Sequence, residues 1–313
     1  MSAAMHLAGR GTKAELSDLI NLRHVAKRLT LMRNQVATNP MSGQLRSRRQ
    51  GRGMDFSEVR IYQPGDDIRS IDWKVTARTS STHTKVFQEE RERPVLILLD
   101  QSESLYFGSR VRFKSVAAAR LAATLGWTAL DQGDRVGGIV FNHQGHRETR
   151  PRRSRKSLLR FIHDAIELNH QLAQPPEDGK RYPMSEMIAA AQRVSRHGCL
   201  VFIISDFQNA DDELETRLSQ LGQTNEIHGI CIFDPLDKTL PPPGRYAITN
   251  GVDVQDINTA SRTIQAEHTA RFDRHNLFVN RIFSRAGGRL TQVVAQAEPE
   301  EYLNNLMHRR GVS

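Results

Sequence analysis

From Pro94 onward the chain alternates short apolar runs with longer amphipathic stretches, and no other feature constrains its fold as strongly. Runs at 94–99, 135–141, 199–205 and 226–233 have strand length. Between and after them, 114–131, 154–166, 185–196 and 212–221 repeat apolar residues at helical spacing. Alternation of this kind predicts an α/β fold, a doubly wound, mostly parallel sheet with helices on both faces. The unbroken apolar run Val95-Leu96-Ile97-Leu98-Leu99 suits a strand buried on both sides.

That run ends on Asp100-Gln101-Ser102-Glu103-Ser104, which places one carboxylate and two hydroxyls at alternate positions. In open α/β sheets the carboxyl ends of strands are where ligands bind. A small set of hard oxygen donors, completed by water and a partner, suits Mg²⁺. A second run, Phe202-Ile203-Ile204-Ser205, ends in the same way on Asp206. Two carboxylates leave a divalent site near neutral, and uncharged hydroxyls leave the metal able to accept a carboxylate from a partner. Serine as a helix N-cap would explain Ser102 or Ser104 but not the coincidence with Asp206. Glu103 alternates away from the ligands and is read as facing solvent or a partner.

Upstream lies a longer ordered string. It contains Phe56, Glu58, Arg60, Tyr62, Pro64-Gly65-Asp66, Ile71-Asp72-Trp73 and Arg78, and runs through Glu89-Glu90-Arg91-Glu92-Arg93-Pro94 into Asp100. Over roughly residues 10–235 the chain resembles the bacterial "domain of unknown function 58" family. Those are von Willebrand factor A-like proteins usually encoded beside MoxR-type AAA+ ATPases. The resemblance implies a metal-ion-dependent adhesion site in which Ser102 and Ser104 bind Mg²⁺ directly and Asp100 binds through water. Mn²⁺ or Ca²⁺ are the alternatives to Mg²⁺. It further implies a second-loop hydroxyl, assigned to Ser185 where the family usually has Thr, and a third-loop carboxylate, Asp206. The expected function is a non-enzymatic, Mg-dependent protein-binding adaptor. By the resemblance, it works with a MoxR-type ATPase and a client in protein assembly, maturation or stress response.

Several classes of function lack their signatures. No Gly-x-x-x-x-Gly-Lys-Ser/Thr, His-Glu-x-x-His or Gly-x-Ser-x-Gly occurs. Asp100-x-Ser102 lacks the second Asp of the Mg-dependent aspartyl-phosphate phosphatases, which weakens the rival reading as a phosphate-ester hydrolase. His163 with His170, and His268 with His275, are each seven apart and could share a helix face, but no third ligand accompanies either pair. Cys199 and Cys231 sit in apolar strand patterns and are expected to be buried thiols.

The formal net charge is +9, and the excess is local. One cluster is Arg46, Arg48, Arg49 and Arg52. The other is Arg147, Arg150, Arg152, Arg153, Arg155, Lys156 and Arg160. Neither is interleaved with aromatic residues, so a solvated face or an acidic protein contact is favoured over a nucleic-acid-binding module. No apolar run approaches the roughly 20 residues of a membrane span. With no signal-peptide core at the N-terminus, the chain is read as cytoplasmic.

The expected division is 1–93, an N-terminal helix and motif segment, and 94–313, the von Willebrand A-like domain with a C-terminal extension. Within the first part, 14–33 has helical spacing, 55–62 reads as extended and Gln63-Pro64-Gly65-Asp66 reads as a turn. Asp66, Asp67, Arg69, Asp72 and Trp73 are expected to form an ion-paired knot. Gln174-Pro175-Pro176-Glu177-Asp178-Gly179 reads as loop. In the extension, 245–249 and 252–256 flank the turn dipeptide Asn250-Gly251, and a long helix over 260–286 ends at Gly287-Gly288. A last edge strand at 290–294 and a helix at 298–308 follow.

Overall fold

The computed structural model describes residues 11–29, 31, 54–63, 68–79, 81–89, 92–173, 182–195, 197–249 and 254–308. Some expectations lie wholly or partly outside the described residues: the cluster Arg46, Arg48, Arg49 and Arg52, the last three residues of the turn Gln63-Pro64-Gly65-Asp66, Asp66 and Asp67 of the knot, the loop at 174–179 and Asn250-Gly251.

The chain divides into two compact units, Arg33–Glu92 and the remainder. In the larger unit a six-stranded sheet runs in the order β10-β7-β6-β3-β4-β5. Its strands are β3 (Pro94–Asp100), β4 (Arg135–Asn142), β5 (Gly145–Arg152), β6 (Leu200–Ser205), β7 (Glu226–Phe233) and β10 (Arg289–Val294). Every pairing is parallel except β4 with β5. This is the α/β, doubly wound, mostly parallel architecture expected of a von Willebrand A-like chain.

The central strand shows why an unbroken apolar run was needed. Side chains alternate across a sheet. Val95, Ile97 and Leu99 enter one core with α4 (Lys114–Asp131) and α5 (Arg155–Gln171). Leu96 and Leu98 enter a second core on the other face with α6 (Met184–Val194), α7 (Leu214–Gly222) and α9 (Arg262–Arg285). Helix α4 is buried almost all round, and its alanines let neighbours approach closely.

The N-terminal helix is broken into α1 (Leu16–Asn21) and α2 (Arg23–Ala26). Both go with the sheet rather than with the motif segment that follows them. Leu19, Leu22 and Ala26 are buried in the first core, and Trp127 Nε1 donates to the Leu19 carbonyl at 3.0 Å. The chain re-enters the larger unit at Arg93, and its first helices belong to that unit as well. Short helix α8 (Pro235–Lys238), the hairpin β8 (Arg245–Thr249) and β9 (Val254–Asn258), and α10 (Pro299–His308) complete this unit.

In the smaller unit β1 (Met54–Ile61) pairs antiparallel with β2 (His83–Glu89). Between them Asp72 caps the one-turn helix α3 (Trp73–Thr76), accepting from the Lys74 and Val75 amides at 3.0 and 3.2 Å. Asp72 thus caps a helix, Trp73 is 68% exposed, and Asp66 and Asp67 of the expected ion-paired knot lie outside the described residues.

Candidate metal centre

Parallel pairing of β3 with β6 sets Leu99 opposite Ile204, so both strands deliver their carboxyl ends to one edge. Asp100 leaves the first strand and Asp206 follows the second. The Asp100 carboxylate is fully buried. Its Oδ1 accepts from the Ser102 amide at 2.8 Å and its Oδ2 from the Ser205 hydroxyl at 2.5 Å. Burial first, and the charge of Asp206 second, push its pKa up to about 7 against the lowering effect of those hydrogen bonds.

The two serines turn toward Asp206. Ser102 Oγ and Ser104 Oγ lie 3.2 Å apart, and Ser104 Oγ donates to Asp206 Oδ1 at 2.9 Å. Two strands and their loops therefore bring two carboxylates and two hydroxyls together. The loop rests on buried polar side chains. Gln101 Nε2 donates to the Ser115 carbonyl, Asn169 Nδ2 donates to Gln101 Oε1, and the Ala14 amide donates to Asn169 Oδ1.

Ser185, at the start of α6, stands differently. Its hydroxyl donates to Asp211 Oδ2 at 2.7 Å, and its amide to the same atom at 3.3 Å. Among the described contacts its oxygen meets Asp211, not Asp100 or Asp206.

Lys114 is a residue that the sequence reading did not single out. Its ammonium is buried and lies 3.1 Å from Asp206 Oδ2 and 3.0 Å from Asp237 Oδ2. Burial works against the charged form, but the two carboxylates outweigh it and raise its pKa. A lysine at the first position of a mostly apolar, alanine-rich helix was the signal available in the sequence. On the other side of Asp206, His275 Nε2 lies 2.9 Å from its carbonyl oxygen. The next residue, Phe207, has φ +57°, the only positive φ outside glycine among the described residues. Strained backbone of this kind persists where packing over-determines it, and Phe207 is buried edge-on against Phe283.

The donor set is chemically fit for a hard divalent cation. It offers hydroxyl and carboxylate oxygens from both loops, and a carboxylate whose raised pKa a nearby cation would reverse. Ser102 and Ser104 would hold the ion, with Asp100 and Asp206 balancing its charge. Ser185 would have to exchange its bond to Asp211 to join them. Next to the serines opens a cleft of about 250 Å³ lined also by Glu103, Asn142, His143 and Gln208.

Other clusters are already satisfied. His163, Asp164 and Glu167 hold ligand atoms within 4.8 Å of one another, but Arg147 pairs with both carboxylates. His170 and His268 each meet a backbone carbonyl, of Ala14 and Leu236. Cys199 and Cys231 are buried thiols, and burial pushes the Cys231 thiol up to about 12.

Fold and site together define a doubly wound α/β domain with an oxygen-donor cluster at the carboxyl ends of adjacent strands. The chain belongs to the family described as "Protein of unknown function DUF58", whose model matches residues 58–277. A curated relative, the uncharacterized protein Rv1480 of Mycobacterium tuberculosis, is 31% identical over 194 residues, 62% of this chain and 59% of that one. The chain thus spans a little under two thirds of the length of such relatives. Among solved structures, BatB from Bacteroides thetaiotaomicron is 16% identical with a TM-score of 0.42, covering 68% of this chain and 95% of that one. The SpRpn10 VWA domain is 12% identical with a TM-score of 0.40, covering 71% and 100%.

Proposed function

We propose that this protein is a binding adaptor rather than an enzyme, and that it engages a protein partner through a divalent cation, Mg²⁺, held at Ser102 and Ser104 between Asp100 and Asp206. The carrying observation is the convergence of Ser102, Ser104 and Asp206 in one hydrogen-bonded cluster above the buried Asp100. The cation would supply an electrophilic position for a partner's carboxylate. Both oxygens of Asp100 are engaged by Ser102 and Ser205, an arrangement that suits a fixed counter-charge better than the nucleophile of a phosphate-ester hydrolase. By family resemblance, the partner is a MoxR-type AAA+ ATPase acting with a client in the cytoplasm. Among the described residues, no helix is long and apolar enough to cross a membrane.

The test is a pull-down from native extract with the wild type in Mg²⁺, the wild type in EDTA, and Asp100→Ala checked for folding. A partner retained only in the first sample supports the cation-bridged adaptor and identifies what it binds. The same partners in all three samples would overturn it.

A further inference from the structure

Among the described residues, strand β5 pairs only with β4 and forms an edge of the sheet. An edge strand leaves alternate backbone N–H and C=O groups open to another chain. Between β5 and the first turns of α5 lies a cleft of about 530 Å³. Arg150 and Arg152 line it from the strand, and Lys156 and Arg160, one helical turn apart, line it from the helix.

These four cations differ from their neighbours. Arg147 on the same strand pairs with Asp164 and Glu167, and Arg193 stands 3.8 Å from Glu148. Among the described residues, Arg150, Arg152, Lys156 and Arg160 have no carboxylate within 4.0 Å. Neutral donors accompany them. Thr149 and Ser157 also belong to the lining of the cleft, the Thr149 hydroxyl itself being buried. Ser154 precedes α5 without capping it by its side chain. The positive end of the α5 dipole adds to the same field.

We propose that this cleft is a docking site for an acidic, extended protein segment, which lies along β5 and sets its carboxylates on Arg150, Arg152, Lys156 and Arg160. Charge selects the occupant. A second copy of the same edge would bring like charges together, whereas an acidic strand neutralises them. No aromatic side chain lines the cleft, so bases would find no stacking platform. Glu148, the one acid in the lining, is drawn toward His146 at 3.2 Å and marks one end. Pro151 has no amide to donate, and the Arg150 and Arg152 carbonyls accept from the Ser157 hydroxyl and the Ser154 amide, so main-chain pairing belongs to the stretch before Arg150.

The experiment is fluorescence anisotropy of a labelled poly-glutamate peptide titrated with the full chain. The expected result is saturable, salt-weakened binding that falls about tenfold or more in an Arg150→Glu, Lys156→Glu double variant. A peptide of equal charge interrupted by prolines should bind more weakly, because it cannot add as a strand. Asp100→Ala and EDTA should leave this binding unchanged, which separates it from the cation site. Absent binding, equal binding by the double variant, or equal binding of the proline-interrupted peptide would overturn the proposal. A single-stranded oligonucleotide that displaces the peptide and depends on the same residues would overturn it in favour of nucleic acid.

Discussion

Lys114 balances buried carboxylate charge at the proposed cation site from within the protein. Its ammonium neutralises Asp206 and Asp237. Removing one partner from a buried ion pair leaves uncompensated charge, at a cost of about 3–5 kcal/mol. Lys114→Met should therefore lower the free energy of unfolding by an amount in that range, read by chemical unfolding. Added Mg²⁺ should recover part of the loss if it takes over the neutralisation of Asp206. A second residue titrates in the opposite sense to Asp100. Burial raises the pKa of Glu226, but His228 and Arg93 outweigh it and hold the carboxyl at about 2. The folded state then binds fewer protons than the unfolded state, so the contribution to stability is present above the ordinary carboxylate range. It is lost as pH falls from about 4.5 toward about 2. Glu226→Gln should flatten that part of the acid-unfolding curve relative to wild type, and a parallel curve would refute the assignment.

At the scale of elements, packing between β4 and α5 is tight enough to be tested by one methyl group. A Cβ on Gly138 would lie 2.3 Å from the Phe161 ring and 2.7 Å from the Ile97 carbonyl oxygen. The backbone atom cannot move aside without disturbing β3. Gly138→Ala should cost about 1–3 kcal/mol as an overpacked core position, measured by urea unfolding. The same pair of strands shows what was legible in the sequence. β3, β4, β6 and β7 are buried on both faces, and burial writes itself as apolar runs. β5 was not legible, because Gly-His-Arg-Glu-Thr-Arg-Pro-Arg carries no apolar pattern. It is a strand through its pairing with β4 across a tight turn in which Gly145 has φ +145°. The site divides in the same way. Asp100, Ser102, Ser104 and Asp206 were readable because strand ends place them locally. Lys114 and the bond from Ser185 to Asp211 depend on how separate helices and loops come together, which spacing along the chain does not encode.

At the scale of the whole molecule, the two proposed binding surfaces draw on different physics and should be separable. The proposed cation site is a compact set of buried or half-buried oxygens, and an ion bound there would stabilise the fold by mass action. At a concentration 100 times its dissociation constant the gain is about 2.7 kcal/mol. The basic cleft is exposed and collects part of the +9 net charge, so its contacts are weakened by salt and its ligand adds little to the folding of the sheet. A double-variant cycle tests this division. Thermal unfolding with and without Mg²⁺ should show a shift in the wild type and in Arg150→Glu, Lys156→Glu, and none in Asp100→Ala. Peptide anisotropy should show the converse pattern, with binding kept in Asp100→Ala and lost in the charge reversal. Independent sites give additive effects, typically within about 0.5 kcal/mol. A larger coupling in either assay would mean that β3 and β4, which join the two surfaces through the sheet, carry the state of one to the other.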